Sequence, residues 1–398
     1  LNEAYGWALL ASHAVVWAFF AQTQILRGVT ADVEPYCWPY FESCWQWRLP
    51  SYGHALIVMV GYLALILACA AAQWHQRPRT FRVGLVVVNL ALFALVSLDY
   101  RLRANEFYML LWIQSVYLCA TSFRWTIPVA ILSCYFWAGV LKTNHEWLSG
   151  TVLYGPLWGI PPEWVPVACA YVVFLELIAI WGLLARRTRW TIVTLLQLAL
   201  FHIQSLSQIH WFYPALMATI LSWFAAERFL GTPDGRATLA SLLRGRAPRA
   251  AYVTLGVFAL LQLTPHLYNR DSTLTGQGRV FALHMFEARQ DCEVSATPTA
   301  NTGVAAPVNL KVPTLAPRMV CDPLVYFNRA QNLCRVRRIT EPDFDIHLTM
   351  KAKRRTDPDF TTIIDEPGFC AAEHEYAILR NNVWLQASWK GTDARQPH

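Results

Sequence analysis

Tyr135-Phe136-Trp137-Ala138-Gly139-Val140-Leu141-Lys142-Thr143-Asn144-His145-Glu146-Trp147-Leu148-Ser149-Gly150 is the stretch that decides the fold. An apolar run ends here on a lysine, and polar, imidazole, acidic and indole groups follow at once. Residues 126–141 carry no charge. The stretch therefore reads as the end of a membrane-spanning helix, with Lys142 at the edge of the bilayer. Two roles for Lys142 stay open at this point. It can snorkel beside an interfacial Trp, or it can sit partly stripped of water, the setting in which lysines serve as bases. Spacing alone favours the anchor.

The rest of the chain agrees that a membrane is the solvent. The 398 residues are 55% hydrophobic and only 15% charged, with 18 Trp, 16 Tyr and 20 Phe. Soluble domains seldom combine so few charges with so many aromatics, whereas Trp and Tyr are enriched at bilayer interfaces. The net charge of +7 asks for no nucleic-acid partner, because many of the basic residues gather in short loops between apolar runs. Nine such runs stand out, at about 5–26, 53–74, 83–99, 106–122, 126–141, 163–185, 190–206, 211–226 and 250–267. The runs at 106–122, 126–141 and 211–226 are short for a crossing. The first run lacks a basic flank and a small-residue cleavage site, so it reads as a spanning helix and not as a signal peptide.

Loop charge sets the expected orientation. Arg77, Arg79 and Arg82, then Arg124, then Arg186, Arg187 and Arg189, then Arg228, Arg236, Arg244, Arg246 and Arg249 follow runs two, four, six and eight. Alternating topology puts all four groups on one face, which the positive-inside rule makes cytoplasmic. Arg27, Arg48, Arg101 and Arg103 fall on the other face. Loop 27–52, the loop after Lys142, the 205–210 turn and everything after about 268 are then external, which in a bacterial inner membrane means periplasmic.

Cysteine usage points the same way. Cys69, Cys119, Cys134 and Cys169 lie in apolar runs, where a thiol behaves as a small hydrophobe. Cys37, Cys44, Cys292, Cys321, Cys334 and Cys370 all fall on the external side. An even number in an oxidising compartment suggests up to three disulfides. Cys37–Cys44 is a natural local pair, and spacing does not choose the others. No metal site is expected, since no His stands at ligand spacing from Cys37 and Cys44.

Composition changes at about 268, where the long apolar runs stop. Strands are expected at 278–286, 345–352 and 360–364, a helix at 327–335 and a loop at 295–317. The expected fold class is thus an all-α polytopic membrane bundle of about 8–9 transmembrane helices, residues 1–267. A small external, disulfide-containing α+β domain follows at 268–398.

No phosphate loop, HExxH or GxSxG motif is present. What remains for chemistry is polar groups at membrane depth, which are costly and often functional. Besides the Lys142 stretch, His202, Gln204, Ser205 and Gln208 crowd the external end of run seven. They make either helix–helix hydrogen bonds or the polar wall of a cavity. Arg101, Arg103 and Asn105 stand between runs three and four, as anion ligands or helix anchors. Glu176 is an intramembrane carboxylate, and His13 and His54 read as structural groups. All three clusters reach the external side, which argues for one pocket open to lipid.

Several of these residues resemble a known family. Ala138-Gly139-Val140-Leu141-Lys142 with Glu146-Trp147 and Gly150 resembles the base-lysine segment of the vitamin K-dependent gamma-carboxylases. Phe201-His202 with Gln208-Ile209 and Phe212 resembles their later Phe-His helix, and Asn105 with Tyr108 and Leu110-Leu111 their Asn-containing segment. Lys351 to Asp365 resembles their tail segment. The wider group is the horizontally transferred transmembrane (HTTM) domain proteins of bacteria. The resemblance implies a reduced naphthoquinone or other quinol as cofactor, O2, and Lys142 as the base that deprotonates the quinol. His202 is implied as its catalytic neighbour. Arg103, Asn105, Trp137, His145, Trp147, Gln204 and Gln208 are implied around the quinone or substrate. The implied partners are membrane lipid and an external peptide or small-molecule substrate. Departures are visible: Leu141 precedes the lysine, position 106 is Glu, and no His lies between Tyr117 and Trp125. A non-catalytic accessory or maturation subunit of a bacterial membrane complex is the alternative.

Overall fold

The computed structural model describes residues 2–120, 122–231, 236–268, 271–284, 289–299, 307–310, 319–372 and 374–386. Every apolar run becomes a helix, because a backbone in hydrocarbon must satisfy its own hydrogen bonds. In chain order they are α1 Asn2–Thr23, α2 Tyr52–Trp74, α3 Pro78–Ser97, α4 Asn105–Cys119 and α5 Phe123–Leu141. The short α6 His145–Leu148 precedes α7 Val165–Leu177, α8 Thr188–Ser205 and α9 Phe212–Leu230. The short α10 Leu239–Leu243 leads to α11 Arg249–Leu263.

Among the described residues six helical segments are long and apolar enough to cross a membrane: Glu3–Thr23, Tyr52–Trp74, Pro78–Ser97, Phe123–Leu141, Pro162–Leu184 and Arg249–Leu267. α4, α8 and α9 fall outside that set. α4 is 15 residues long and buries Asn105, Glu106 and Gln114, and α8 buries Thr191, Thr194, His202 and Ser205. A helix that faces other helices need not be apolar all round, so hydropathy understates it.

The chain divides into two compact units. The first comprises Leu1–Thr30, Leu49–Val96 and Arg103–Leu260. Inside it α1 packs against α2 and α9, and α5 packs against α4 and α7. His13 Nε2 lies 2.5 Å from Gln114 Oε1, and His13 Nδ1 lies 2.6 Å from the Tyr62 hydroxyl. The Gln114 amide nitrogen donates to the Leu85 carbonyl at 3.1 Å. One buried network therefore ties α1, α2, α3 and α4, with His13 as a structural group.

The second unit comprises Ala31–Arg48, Ser97–Leu102 and Leu261–His398. It thus takes in two loops that lie far earlier in the chain than residue 268. Its regular elements are α12 Ser272–Thr275, β1 Gln290–Pro298, α13 Pro323–Arg337, β2 Ile346–Arg354 and β3 Thr361–Glu366. The strands form one antiparallel sheet in the order β1-β2-β3. β2 alternates as a central strand should: Ile346, Leu348, Met350 and Ala352 are buried, and the residues between them turn outward. The strands expected at 345–352 and 360–364 and the helix at 327–335 are present as β2, β3 and α13. α13 starts as its sequence dictates, with Pro323 in the first turn and Asp322 Oδ1 accepting the Leu324 N–H at 3.0 Å.

Two expectations about strands are corrected. Residues 278–284 are turn and coil, and Met285 and Phe286 lie outside the described residues. Gly278 has φ +74°, and a Cβ there would come within 2.5 Å of the Tyr268 ring, so the backbone bends where alternation suggested a strand. β1 instead runs into the expected 295–317 loop, of which residues 300–306 and 311–317 lie outside the described residues. β1 is an edge strand with mostly half-exposed polar side chains, so it shows no hydrophobic alternation.

Three disulfides fix the pairing: Cys37–Cys44, Cys292–Cys321 and Cys334–Cys370. The loops taken from the first half of the chain are held by polar contacts as well. Asp99 binds Arg48 at 2.7 Å and Arg101 at 2.8 Å, and the Asn328 side chain receives the Cys37 N–H at 2.9 Å. Arg101, a candidate anion ligand by sequence, thus has its anion within the chain.

Peptide mapping without reductant is expected to recover these three linked pairs. Buried Cys69, Cys134 and Cys169 are expected to alkylate only after denaturation. Recovery of a Cys292–Cys334 peptide, or of Cys37 as a free thiol, would contradict this pairing.

Candidate functional site

The polar centre of the first unit forms where α5 crosses α7. Gly139 permits that crossing: a Cβ at this position would lie 2.9 Å from Leu177 Cδ2 and 3.0 Å from Glu176 Cβ. With no side chain between them the two backbones approach, and Lys142, at the end of α5, is drawn alongside Glu176. Lys142 Nζ lies 2.5 Å from Glu176 Oε1 and 2.6 Å from Oε2. The side chains are 2% and 0% exposed, so neither charge is compensated by water and each depends on the other.

The Glu176 side is shaped by a break in its own helix. α7 ends at Leu177, and a 3-10 turn follows at Ala179–Leu184. Tightening a helix in mid-span leaves carbonyls to satisfy. The Trp181 indole N–H donates to the Leu177 carbonyl at 2.9 Å. From α8, Thr194 Oγ1 donates to the Ala179 carbonyl at 3.3 Å and Thr191 Oγ1 to the Gly182 carbonyl at 3.4 Å.

Aromatic walls close around the ammonium. Trp147 and Phe201 present ring centroids 5.2 and 5.5 Å from Lys142 Nζ, a cation–π arrangement worth about 2 kcal/mol when desolvated. Trp147 is held by local sequence: Asn144 Oδ1 caps α6 by accepting the Trp147 N–H at 2.8 Å, and the indole N–H donates to the Cys169 carbonyl at 3.0 Å.

A second polar pair adjoins the first. Tyr135 precedes Lys142 by two turns of α5, and its hydroxyl lies 2.6 Å from His202 Nε2. His202 is 4% exposed, is close enough to the Lys142 charge to interact with it, and its Nδ1 has no hydrogen-bond partner. Lys142, Glu176, Tyr135, His202, Trp147 and Phe201 therefore form one cluster from three helices and a capped turn. It can hold a proton at Nζ or at a carboxylate oxygen, and it offers one unsatisfied imidazole nitrogen.

The remaining residues singled out in the sequence lie as follows. Gln208 ties down a loop, accepting the Tyr154 N–H at 2.9 Å and donating to the Gly155 carbonyl at 2.9 Å. Gln204 is half-buried with its Nε2 unpartnered. Trp137 is half-buried beside Phe136, and His145 is exposed on α6. Asn105 is buried at the start of α4, with half-buried Arg103 just before it. Glu146 lies closer to Lys142 in the chain, but the acid that binds the ammonium is Glu176. A lone carboxylate in an apolar run was the available signal, since it must find a cation. Tyr135 was missed, although its two-turn spacing puts it on the Lys142 face.

The second unit has its own cavity of about 450 Å³, lined by Glu42, Trp45, Gln331, Arg335, Phe369 and His374 among others. The Arg335 guanidinium lies over the Trp45 ring at 4.8 Å. Burial holds Arg335 below its ordinary range, and burial together with Glu375 pushes the Glu42 carboxyl up. Among the described residues no group of three His, Cys, Asp or Glu is placed to hold a metal.

Comparison with family models, curated proteins and solved structures finds no match to the chain.

Gly139→Ala is expected to force α5 and α7 apart and to destabilise the protein by about 1–3 kcal/mol. A lowered thermal midpoint in detergent or lipid measures it. An unchanged midpoint would mean that the crossing relaxes freely.

Proposed function

We propose that the chain is an integral membrane enzyme of the HTTM and vitamin K-dependent gamma-carboxylase kind. In this reading Lys142 removes a proton from a reduced naphthoquinone or other quinol, and the product of that chemistry modifies an external peptide or small molecule. One observation carries the reading. A fully buried Lys142–Glu176 pair stands beside a buried imidazole with a free nitrogen, at the depth of the membrane-spanning helices. Such groups are expensive in hydrocarbon and mark sites of proton or ligand handling.

The residues present fit a quinol head group. Trp147 and Phe201 offer ring faces, and His202 Nδ1 awaits a hydrogen-bond partner. A quinol, when bound, supplies the electrons for reduction of O2. The chain supplies the proton handling. One proton passed from Lys142 Nζ to a Glu176 oxygen leaves a neutral amine, whose lone pair can accept a hydroxyl proton. Tyr135 orients the His202 ring through Nε2, so Nδ1 keeps a fixed direction. The apolar surroundings keep water from the reacting groups.

The reading includes a bundle of nine crossings in a bacterial inner membrane, with α4, α8 and α9 as the more polar ones. The arginine-rich loops are cytoplasmic, and the residues after about 268 are periplasmic. Its three disulfides support an oxidising compartment for the second unit. The cavity at Trp45 and Arg335 offers the second unit a ligand site of its own.

A second reading is a non-catalytic accessory subunit of a membrane complex. The mutual saturation of Lys142 and Glu176 favours it, since two helices can be stapled this way with no chemistry.

Lys142→Met alone is expected to cost about 3–5 kcal/mol, because it strands the Glu176 charge. Lys142→Met with Glu176→Gln is expected to recover most of that stability. Oxygen uptake with a naphthohydroquinone as the probe separates the readings: the enzyme reading requires the stable double variant to lose it by at least a hundredfold. Uptake at the wild-type rate would leave the accessory role.

A further inference from the structure

α8 divides its surface into three strips. Ile192, Leu196, Leu200 and Ile203 are exposed and form the apolar outer strip. Thr191, Thr194, Leu198, His202 and Ser205 are buried. Along the boundary between these run Gln197, Phe201 and Gln204, at spacings that share one helix face, with Gln208 in the turn beyond the helix. Gln208 is occupied with the 154–156 loop. Gln197 and Gln204 are not occupied. Neither side-chain amide makes a hydrogen bond among the described residues, and Gln197 Oε1 and Gln204 Nε2 are both covered. An amide left unpaired in hydrocarbon is costly, so two on one strip call for an occupant.

We infer that Gln197 and Gln204 hold the two oxygens of a quinol ring lying against Phe201. The inference rests on the quinol reading above, and it names the residues that recognise the head group. Two helical turns separate the amides by about 10 Å along the axis. Two hydrogen bonds of roughly 2.8 Å each, with a six-membered ring bearing para oxygens between them, span such a gap. An amide both donates and accepts, so the pair can receive either the hydroxyl or the carbonyl form. Phe201 stands between the two glutamines and supplies a face for the ring. Its centroid is 5.5 Å from Lys142 Nζ, so the strip borders the Lys142–Glu176 cluster. The exposed Leu196, Leu200 and Ile203 adjoin the strip and give an apolar tail a way in from lipid.

The test is equilibrium binding of 2-methyl-1,4-naphthoquinone to the full-length protein in lipid nanodiscs. Gln197→Leu and Gln204→Leu are each expected to weaken binding about tenfold, as the loss of one hydrogen bond does. 2-Methylnaphthalene, which has no oxygens, is expected to bind all forms alike. On the wild-type protein alone, 1-tetralone with its single oxygen is expected to bind about tenfold more weakly than the quinone, so the inference stays open to refutation even if a variant fails to fold. Quinone affinity within twofold of wild type in both variants would overturn it. So would equal affinity for the one- and two-oxygen compounds, or an equal loss for 2-methylnaphthalene, which would mark a lipid groove. Two outcomes separate this inference from the reading beneath it. If the Lys142→Met/Glu176→Gln protein loses oxygen uptake while the glutamine variants keep quinone affinity, the cradle fails and the base stands. If it keeps uptake while they lose affinity, the base fails and the cradle stands.

Discussion

Two opposite charges shut away from water set the terms for the first unit. Lys142 and Glu176 satisfy each other in bidentate contact, and neither could be there alone. Much of the surrounding geometry follows. α5 and α7 must approach closely, so Gly139 stands at their crossing. α7 must turn after Glu176, so a 3-10 segment follows, with threonines of α8 and the Trp181 indole on its carbonyls. The ammonium must be covered, so Trp147 and Phe201 face it. Tyr135 and His202 repeat the logic one step away, with hydroxyl and imidazole in place of full charges.

The second unit is organised by cross-links. A three-stranded sheet and α13 bury a limited core, and small folds of this kind commonly rely on disulfides. Here Cys292–Cys321 and Cys334–Cys370 bind the unit to itself, and Cys37–Cys44 closes a loop from early in the chain. Asp99, held between two arginines, anchors another such loop. The unit is therefore assembled from segments far apart in the chain, and a composition change at 268 could mark only its largest piece.

Much of this was legible before the fold was known. β2 was easy to place, because Ile346, Leu348, Met350 and Ala352 alternate, whereas α13 was placed at 327–335, short of the Asp322-Pro323 start that its capping sets. β1 was not legible, since an edge strand of polar residues has no buried face to betray it. In the candidate site, Lys142 and His202 stood out as polar groups next to apolar runs. Tyr135 did not, because a tyrosine within a spanning helix reads as one more apolar residue until its hydroxyl is seen to have a partner.

The amino-acid order by itself determined that the chain belongs in a membrane, where its helices lie, and which six cysteines fall outside the apolar runs. These follow from local hydropathy and charge, which need no knowledge of neighbours. Tertiary structure alone decided which carboxylate holds Lys142, which thiols pair, and which glutamines are left without partners. Glu146 is close in sequence and Glu176 is far, yet Glu176 makes the bond. In an apolar interior a charge is matched by whatever helix packing brings within hydrogen-bond distance, and chain separation has no part in that selection.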